Sequence, residues 1–308
     1  MIRTIKIFLF IALMSVSCST KTNDRGLKLE EQLIGLTSVH NARQLGGYHI
    51  GYKRIKDGLL LRCARLSALS AEDSMLLAEK FRLQRIYDFR GMEEALSAPD
   101  IIPGKATYLS LSLSFDKGGN LKDTKFEKDE DLIRLLLENA GHPGVQAMCT
   151  NLYDMVFLDE ASHDVYRRFF ADLMTLQPED GAVLWHCTQG KDRAGCASAM
   201  LLAALGADRD LIMADFTLSK SYYDPHVSRI ETRSDAQKNA INTLISANPD
   251  IFEKTLDKID ARYGSLENYL TECIGVTPAM MDTLRMRYLE LHPVSCNTQK
   301  HNIESEVV

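Results

Sequence analysis

Between Val183 and Gly195 the chain reads VLWHCTQGKDRAG, so that a thiol, a glycine, two cations and a carboxylate follow an apolar run within a few positions. The run itself, 181–187, is short, apolar and preceded by glycine, the pattern of a strand buried on both faces. From Ala194 to Leu205 the residues are apolar or small on all sides, which suits a helix at the centre of a domain. A strand that hands a glycine-containing loop to the start of such a helix aims several backbone N–H groups at one point, and the helix dipole adds positive potential there. The result is an anion site. Arg193 can fork two hydrogen bonds onto a tetrahedral oxyanion, and Lys191 adds a second positive charge. Cys187, at the strand end under the same donors, has its thiolate stabilised, and a thiolate on the floor of an oxyanion cradle is a nucleophile aimed at phosphorus.

A nucleotide-binding loop also contains Gly-Lys, here 190 and 191, but it requires glycine five positions before Gly190 and a hydroxyl after the lysine. This chain has Trp185 and Asp192 at those places. Taken singly, His186, Cys187 or Arg193 would be an ordinary packed or paired residue. Together, with Gly190 at the bend and a strand and a helix on the correct sides, they point to a reactive site.

The elements around the loop follow from pattern. Residues 48–63 read as two strands about a Lys56-Asp57-Gly58 turn, since Asp-Gly supplies the positive φ of a tight hairpin. Residues 70–82 open on a serine cap with acidic residues in the first turn and continue with helical apolar spacing. Strands are expected at 84–89 and 107–113, and helices at 130–140, 144–157 and 163–176, where Val165, Phe169 and Leu173 share one face. The polar stretch 116–130 has too little apolar content to pack and reads as a flexible insertion. After Gly206 the pattern is helical, with Gly, Pro or Asn breaks. Strands alternating with helices, then helices alone, give an α/β core with a helical C-terminal part.

The chain has 308 residues, 45% hydrophobic and 25% charged, which fits a globular protein with a full core, and its net charge of -6 argues against a nucleic-acid surface. Arg3 and Lys6 precede an apolar stretch at 7–16 and then small residues and Cys18. That order is a secretory signal, too short to stay as a membrane-spanning helix. Its end resembles a bacterial lipoprotein signal, with Cys18 lipidated, although Ser15 stands where leucine is usual; a plain cleaved signal is the alternative. The expected division is a signal at 1–18, a polar tether at 19–32, a catalytic domain at 33–291 and a polar tail at 292–308. Of the other cysteines, Cys63, Cys149, Cys187, Cys196, Cys273 and Cys296, none forms a CxxC pair, so a zinc ribbon has no support. Free buried thiols are favoured over disulfides in a chain of this length.

HCTQGKDRAG carries the HCxxGxxR signature. Together with NARQLGGY (41–48), IYDFR (86–90), YGSLENYL (263–270) and GVTPAMMDTLRMRYL (275–289), it makes the chain from 33 to 291 resemble the bacterial tyrosine/lipid-type branch of the cysteine-dependent protein tyrosine phosphatases. The resemblance implies a protein-tyrosine-phosphatase-like fold, α/β with a mostly parallel central sheet flanked by helices. It also implies catalysis without metal or cofactor. Cys187 would form a phosphocysteine, and Arg193 with the amides of Thr188, Gln189, Gly190, Lys191, Asp192 and Arg193 would hold the equatorial oxygens; water would free the phosphate, and His186 would orient the thiol from behind. In this branch Asp192 is the expected general acid. Asp88 is the second candidate, and could instead orient Arg193 or the substrate. Asp154, Asp159 and Asp164 fall nearer the usual acid-loop spacing but sit in ordinary helical surroundings.

Two departures stand out: Ala194 replaces a serine or threonine whose hydroxyl helps the thiolate leave, and Gln44 replaces an aspartate. Cys196 reads as core. Cys63 is a candidate for a reversible disulfide with Cys187 under oxidation. The implied function is a phosphomonoesterase of dual specificity acting on phosphotyrosine or other phosphoprotein, phosphoinositide or inositol phosphate. It would be exported and periplasmic or outer-membrane-associated, with membrane attachment through Cys18. A phosphate-binding module with little turnover and a sulfur-transfer enzyme are the competing classes.

Overall fold

The computed structural model of the chain describes residues 27–113 and 129–292. Its strands are β1 (Arg43–Gln44), β2 (His49–Ile50), β3 (Lys53–Ile55), β4 (Leu60–Cys63), β5 (Arg85–Asp88), β6 (Thr107–Ser110), β7 (Val183–His186) and β8 (Leu289–Leu291). The helices are α1 (Leu29–Gln32), α2 (Ala71–Met75), α3 (Met92–Ser97), α4 (Asp129–Asn139), α5 (Pro143–Phe157), α6 (Glu160–Leu173), α7 (Arg193–Leu205), α8 (Arg209–Val227), α9 (Asp235–Leu244), α10 (Pro249–Tyr263), α11 (Leu266–Tyr269) and α12 (Pro278–Tyr288).

The apolar run before the loop forms β7, the middle strand of a five-stranded sheet of order β1-β4-β7-β5-β6. Strands β4, β7, β5 and β6 are parallel, and β1 closes one edge antiparallel to β4. All four residues of β7 are buried, because alternate side chains enter two cores. Val183 and Trp185 join the larger cluster with Leu60 and Tyr87 on one face, and Leu184 joins the smaller one with Leu61 and Ile86 on the other. That is the physical content of an unbroken hydrophobic strand. The register sets Cys63 and Asp88 on either side of His186. The carboxyl ends of three parallel strands therefore meet, which is where α/β sheets bind ligands.

Helix α7 is buried along its whole length and ends at Gly206, which takes a left-handed conformation. It is tied to β7 by the Trp185 indole, whose N–H donates to Ala194 O (3.1 Å) and Ser198 Oγ (3.0 Å). Helices α8 to α12 wrap the larger core, with Phe252 of α10 stacked on Phe216 of α8 (centroids 4.0 Å apart) and Tyr153 of α5 edge-on to both.

Three expectations change. The Asp57-Gly58 turn has its positive φ at Gly58, but it does not fold one strand back on the next: β3 pairs with β2 and with β8 in a separate three-stranded sheet, and β4 joins the main sheet. The partner β8 comes from the far end of the chain, so no local signal reveals it. The helix read at 70–82 is regular only to Met75, capped by Ser70 Oγ accepting from Asp73 N (3.1 Å), and widens into a π turn over Leu76–Lys80. The end of the supposed tether is folded: Leu27 and Leu29 pack on the larger core and Gln32 is buried. The signal segment, Cys18 and nearly all of the insertion and polar tail lie outside the described residues.

Since Phe252 is fully buried between helices of different segments, Phe252→Ala should cost about 3–5 kcal/mol of stability. A urea midpoint like that of the wild type would show that the C-terminal helices do not share one cooperative core with the sheet.

Candidate active site

The loop is shaped by what lies behind it. Gly190 sits at φ +67°, and a Cβ there would fall 2.2 Å from the Cys63 carbonyl oxygen and 2.6 Å from Ala64 N, so the loop presses its backbone onto the end of β4 as only glycine permits. Three successive carbonyls are then fastened on that side. Tyr223 Oη donates to Gln189 O (2.7 Å), Asn41 Nδ2 to Gly190 O (3.2 Å), and Arg62 Nη2 to Gly190 O (2.9 Å) and Lys191 O (3.3 Å). Across a trans peptide, N–H and C=O point in opposite directions. Pinning these oxygens therefore turns the amides of Gly190, Lys191 and Asp192 toward the other side, where an anion can take them.

The fastening groups share one buried network. Asp215 of α8 accepts from Arg62 Nη1 (2.6 Å), Arg43 Nε (3.3 Å) and Tyr48 Oη (2.9 Å), and Arg43 Nη1 donates to Asn41 Oδ1 (2.5 Å). Ser219 Oγ, one turn along α8, accepts from Arg43 and Asn41. Arg43, Arg62, Asn41 and Asp215 are all at most 2% exposed, so their polar groups depend on bonds within this network and to the loop rather than on water. Burial opposes the charge on Asp215, but the two guanidiniums outweigh it and hold the carboxyl below its ordinary range. Burial, and next the like charge of Arg43, bring the Arg62 guanidinium down to about 10. Asn41 and Arg43 of NARQLGGY thus serve the loop, while Gln44 Oε1 accepts from Gly58 N (2.6 Å) and steadies the turn before β4.

Arg193 opens α7 and is held by a residue that sequence reasoning missed. Glu94 of α3 takes a two-pronged contact from it (Nη1 to Oε2 2.6 Å, Nη2 to Oε1 2.8 Å) and accepts from Thr188 Oγ1 (2.6 Å). Burial disfavours the Glu94 carboxylate, yet the Arg193 charge more than offsets this and takes its pKa to about 2. The available signal was local: Glu94 is the N3 residue of a capping box, accepting from Gly91 N (2.8 Å) directly after IYDFR. Carbonyls of Phe89 and Leu113 also accept from Arg193 Nη1.

Of the two candidate acids, Asp192 lies in the loop, its carboxylate accepting from Lys191 Nζ (2.7 Å) and Tyr153 Oη (2.9 Å). Asp88 is fully buried, with both oxygens taken by Arg90 and with Tyr108 Oη at 2.6 Å from Oδ2. Despite burial, the neighbouring charges, His186 first, keep its carboxyl below the ordinary range. His186 stands between the two halves of this system. Its Nδ1 is 3.3 Å from Cys187 O and its Nε2 3.0 Å from Asp100 Oδ2. Asp88, Asp100 and His186 are close enough to suggest a metal site, but Arg90 Nη2 lies within 2.8 Å of both carboxylates and already supplies a cation there.

The remaining candidates fall elsewhere. Asp154 accepts from Thr255 (2.7 Å) and pairs with Lys258, Asp159 caps α6, and Asp164 pairs with Arg167 at the surface. Cys196 is buried in the larger core beside Ala194, which offers no hydroxyl. Cys63 belongs to the smaller core and Cys187 to the larger one. The two thiols thus sit in different apolar clusters, and both are free.

A parallel α/β sheet that delivers an HCxxGxxR loop onto a buried helix is the arrangement of protein-tyrosine-phosphatase-type hydrolases. The chain belongs to the tyrosine phosphatase family, whose model matches residues 34–290. It is 27% identical over 264 residues, 83% of this chain and 88% of the other, to a Cupriavidus necator protein named as a tyrosine-protein phosphatase. To the triple specificity protein phosphatase PtpB of Mycobacterium tuberculosis it is 29% identical over 127 residues, 37% of this chain and 46% of that one. Among solved structures, the catalytic core of Siw14 aligns with 78% of this chain and 96% of its own, at 12% identity and a TM-score of 0.31. The protein is a phosphatase of this type.

Gly190→Ala should abolish binding of tungstate, an oxyanion probe, in calorimetry, because the added methyl collides with backbone; retained affinity would show that the loop does not need this approach. For Glu94 the folded pKa, about 2, lies below the reference 4.5. Its contribution to stability is therefore present above pH 4.5 and lost as pH falls toward 2. Glu94→Gln should remove that acid-sensitive part of the stability profile and weaken tungstate binding by about tenfold.

Proposed function

We propose that this chain hydrolyses phosphomonoesters through a phosphocysteine at Cys187. The observation that carries the proposal is the loop itself: Cys187 at the strand end, carbonyls 189–191 held behind, and Arg193 presented at the helix start by Glu94. In the first step the Cys187 sulfur bonds to phosphorus, and the ester oxygen leaves with its bonding pair and a proton from Asp192. In the second a water oxygen bonds to phosphorus, its proton goes to Asp192, and the sulfur keeps the S–P pair. Arg193 and the amides of residues 188 to 193 hold the equatorial oxygens throughout.

Asp192 is favoured over Asp88 as the acid. Its side chain is partly open to solvent (18%) within the loop, whereas Asp88 is sealed and bound to Arg90. Asp88, Asp100 and Arg90 act instead as the scaffold that sets His186, and His186 sets Cys187.

The substrate class we propose is broad, covering phosphotyrosine and other phosphoprotein, with phosphoinositide or inositol phosphate as further members. The name of the mycobacterial relative, a triple specificity phosphatase, supports breadth. The N-terminal pattern ending at Cys18 supports export and attachment by lipid, in which case the substrates are extracytoplasmic. The missing hydroxyl at Ala194 favours one second reading, a phosphate-binding module with little turnover.

Phosphate release by the chain lacking residues 1–18, in the presence of chelator, tests the two. A panel of phosphotyrosine peptide, phosphoserine peptide, phosphoinositide and inositol polyphosphate should show release that disappears in Cys187→Ser. Asp192→Asn should lower kcat by about 10²-fold, while Asp88→Asn should act first on stability. Tungstate binding without release from any member would support the binding module.

A further inference from the structure

Among the described residues around the loop, one buried cluster holds more cations than carboxylates. Glu94 answers Arg193 and Asp192 answers Lys191, while Asp88 and Asp100 share Arg90 beside His186. Beneath the loop, two guanidiniums, Arg43 and Arg62, share the single carboxylate of Asp215, and one positive charge is left over in a fully buried site. Arg62 is the member turned toward the nucleophile. In β4 it stands between Leu61 and Cys63, both in the smaller core, so its side chain leaves the sheet on the opposite face, the one that carries Trp185 and Cys187. Its register partner on β7 is Trp185. Its Nη2 reaches Gly190 O and Lys191 O and would lie 3.3 Å from a Cβ on Gly195, in the first turn of α7. Glycine at 195 thus makes room for the guanidinium under the helix start.

Resting on the reading of Cys187 as nucleophile, we infer that Arg62, held in place by Asp215, is the buried counter-charge of the Cys187 thiolate and does the work of the hydroxyl that Ala194 lacks. It is a positioning residue: its guanidinium touches Asp215 and the loop carbonyls and acts through Cys187. Its charge favours the ionised thiol before attack. When the S–P bond breaks and the pair returns to sulfur, the same charge meets the thiolate again. An ionised Cys187 in turn favours the charged form of Arg62, which burial otherwise disfavours most.

The test uses the full chain and reads alkylation of Cys187 by iodoacetamide at neutral pH, followed by mass spectrometry, with a burst assay on an aryl phosphate beside it. Arg62→Gln removes the charge and the bond to Asp215 Oδ2, keeps one amide donor for the loop carbonyls, and leaves Asp215 paired one-to-one with Arg43. It should slow alkylation by about tenfold or more and should convert steady release into a stoichiometric burst, because breakdown of the phosphocysteine becomes limiting. Arg62→Lys keeps the charge without the fork and should alkylate within about threefold of the wild-type rate. A folded Arg62→Gln chain alkylated as fast as wild type would overturn the inference. If that variant does not fold, a folded Arg62→Lys chain that has lost the reactivity overturns it instead. A wild-type Cys187 no more reactive than Cys273 would be a failure of the nucleophile assignment, a separate result.

Discussion

Everything at the site depends on three carbonyl oxygens being held on the wrong side for a ligand. A loop of this length has no intrinsic reason to point its amides at one spot, and free peptide groups would turn to water. Tyr223, Asn41 and Arg62 take the oxygens of Gln189, Gly190 and Lys191, and each of those side chains is itself immobilised by burial. The amides are therefore set before any anion arrives, so no reorganisation is needed at binding, the condition under which such donors are most effective. Gly190 is the geometric partner of this constraint, since the approach to Cys63 that brings the carbonyls within reach leaves no space for a side chain.

The supports come from elements that have no other reason to meet. Asn41 and Arg43 lie before and in the edge strand β1, Arg62 in β4, and Asp215, Ser219 and Tyr223 on α8. Burying this many polar groups is costly unless each is satisfied, and Arg62 Nε is left without a partner. The fold tolerates the cost around one loop and surrounds it with apolar packing. Arg193 is handled in the same way: Glu94, Thr188 and the carbonyls of Phe89 and Leu113 fix its guanidinium fork.

How much of this the sequence disclosed follows from locality. The loop from Cys187 to Arg193, β7 and α7 were legible because strand, bend and helix are consecutive and each carries its own pattern. The position of His186 between two other strand ends was not, since it depends on sheet order. Glu94 could have been suspected as a capping residue after IYDFR, but nothing in its neighbourhood says that it faces Arg193. Asp215 and Tyr223 carried no signal at all; they lie in a helix whose spacing shows only that it packs. The strand at 53–55 was found while its partner was misjudged, because the turn chemistry at Asp57-Gly58 is identical whether the chain folds back or crosses to another sheet. Cys63 pairs in register with His186, the residue before Cys187, yet the two thiols belong to different apolar clusters, which depends on the sheet and not on local sequence.

The most direct test of the account is a crystal structure of the chain with tungstate bound. It should show the oxyanion against the amides of residues 188 to 193, forked by Arg193, while the bonds from Asn41, Arg62 and Tyr223 to the loop carbonyls stay as they are in the free chain. An oxyanion held elsewhere, or a loop whose carbonyls leave those partners to admit it, would contradict the claim that the cradle is built from behind.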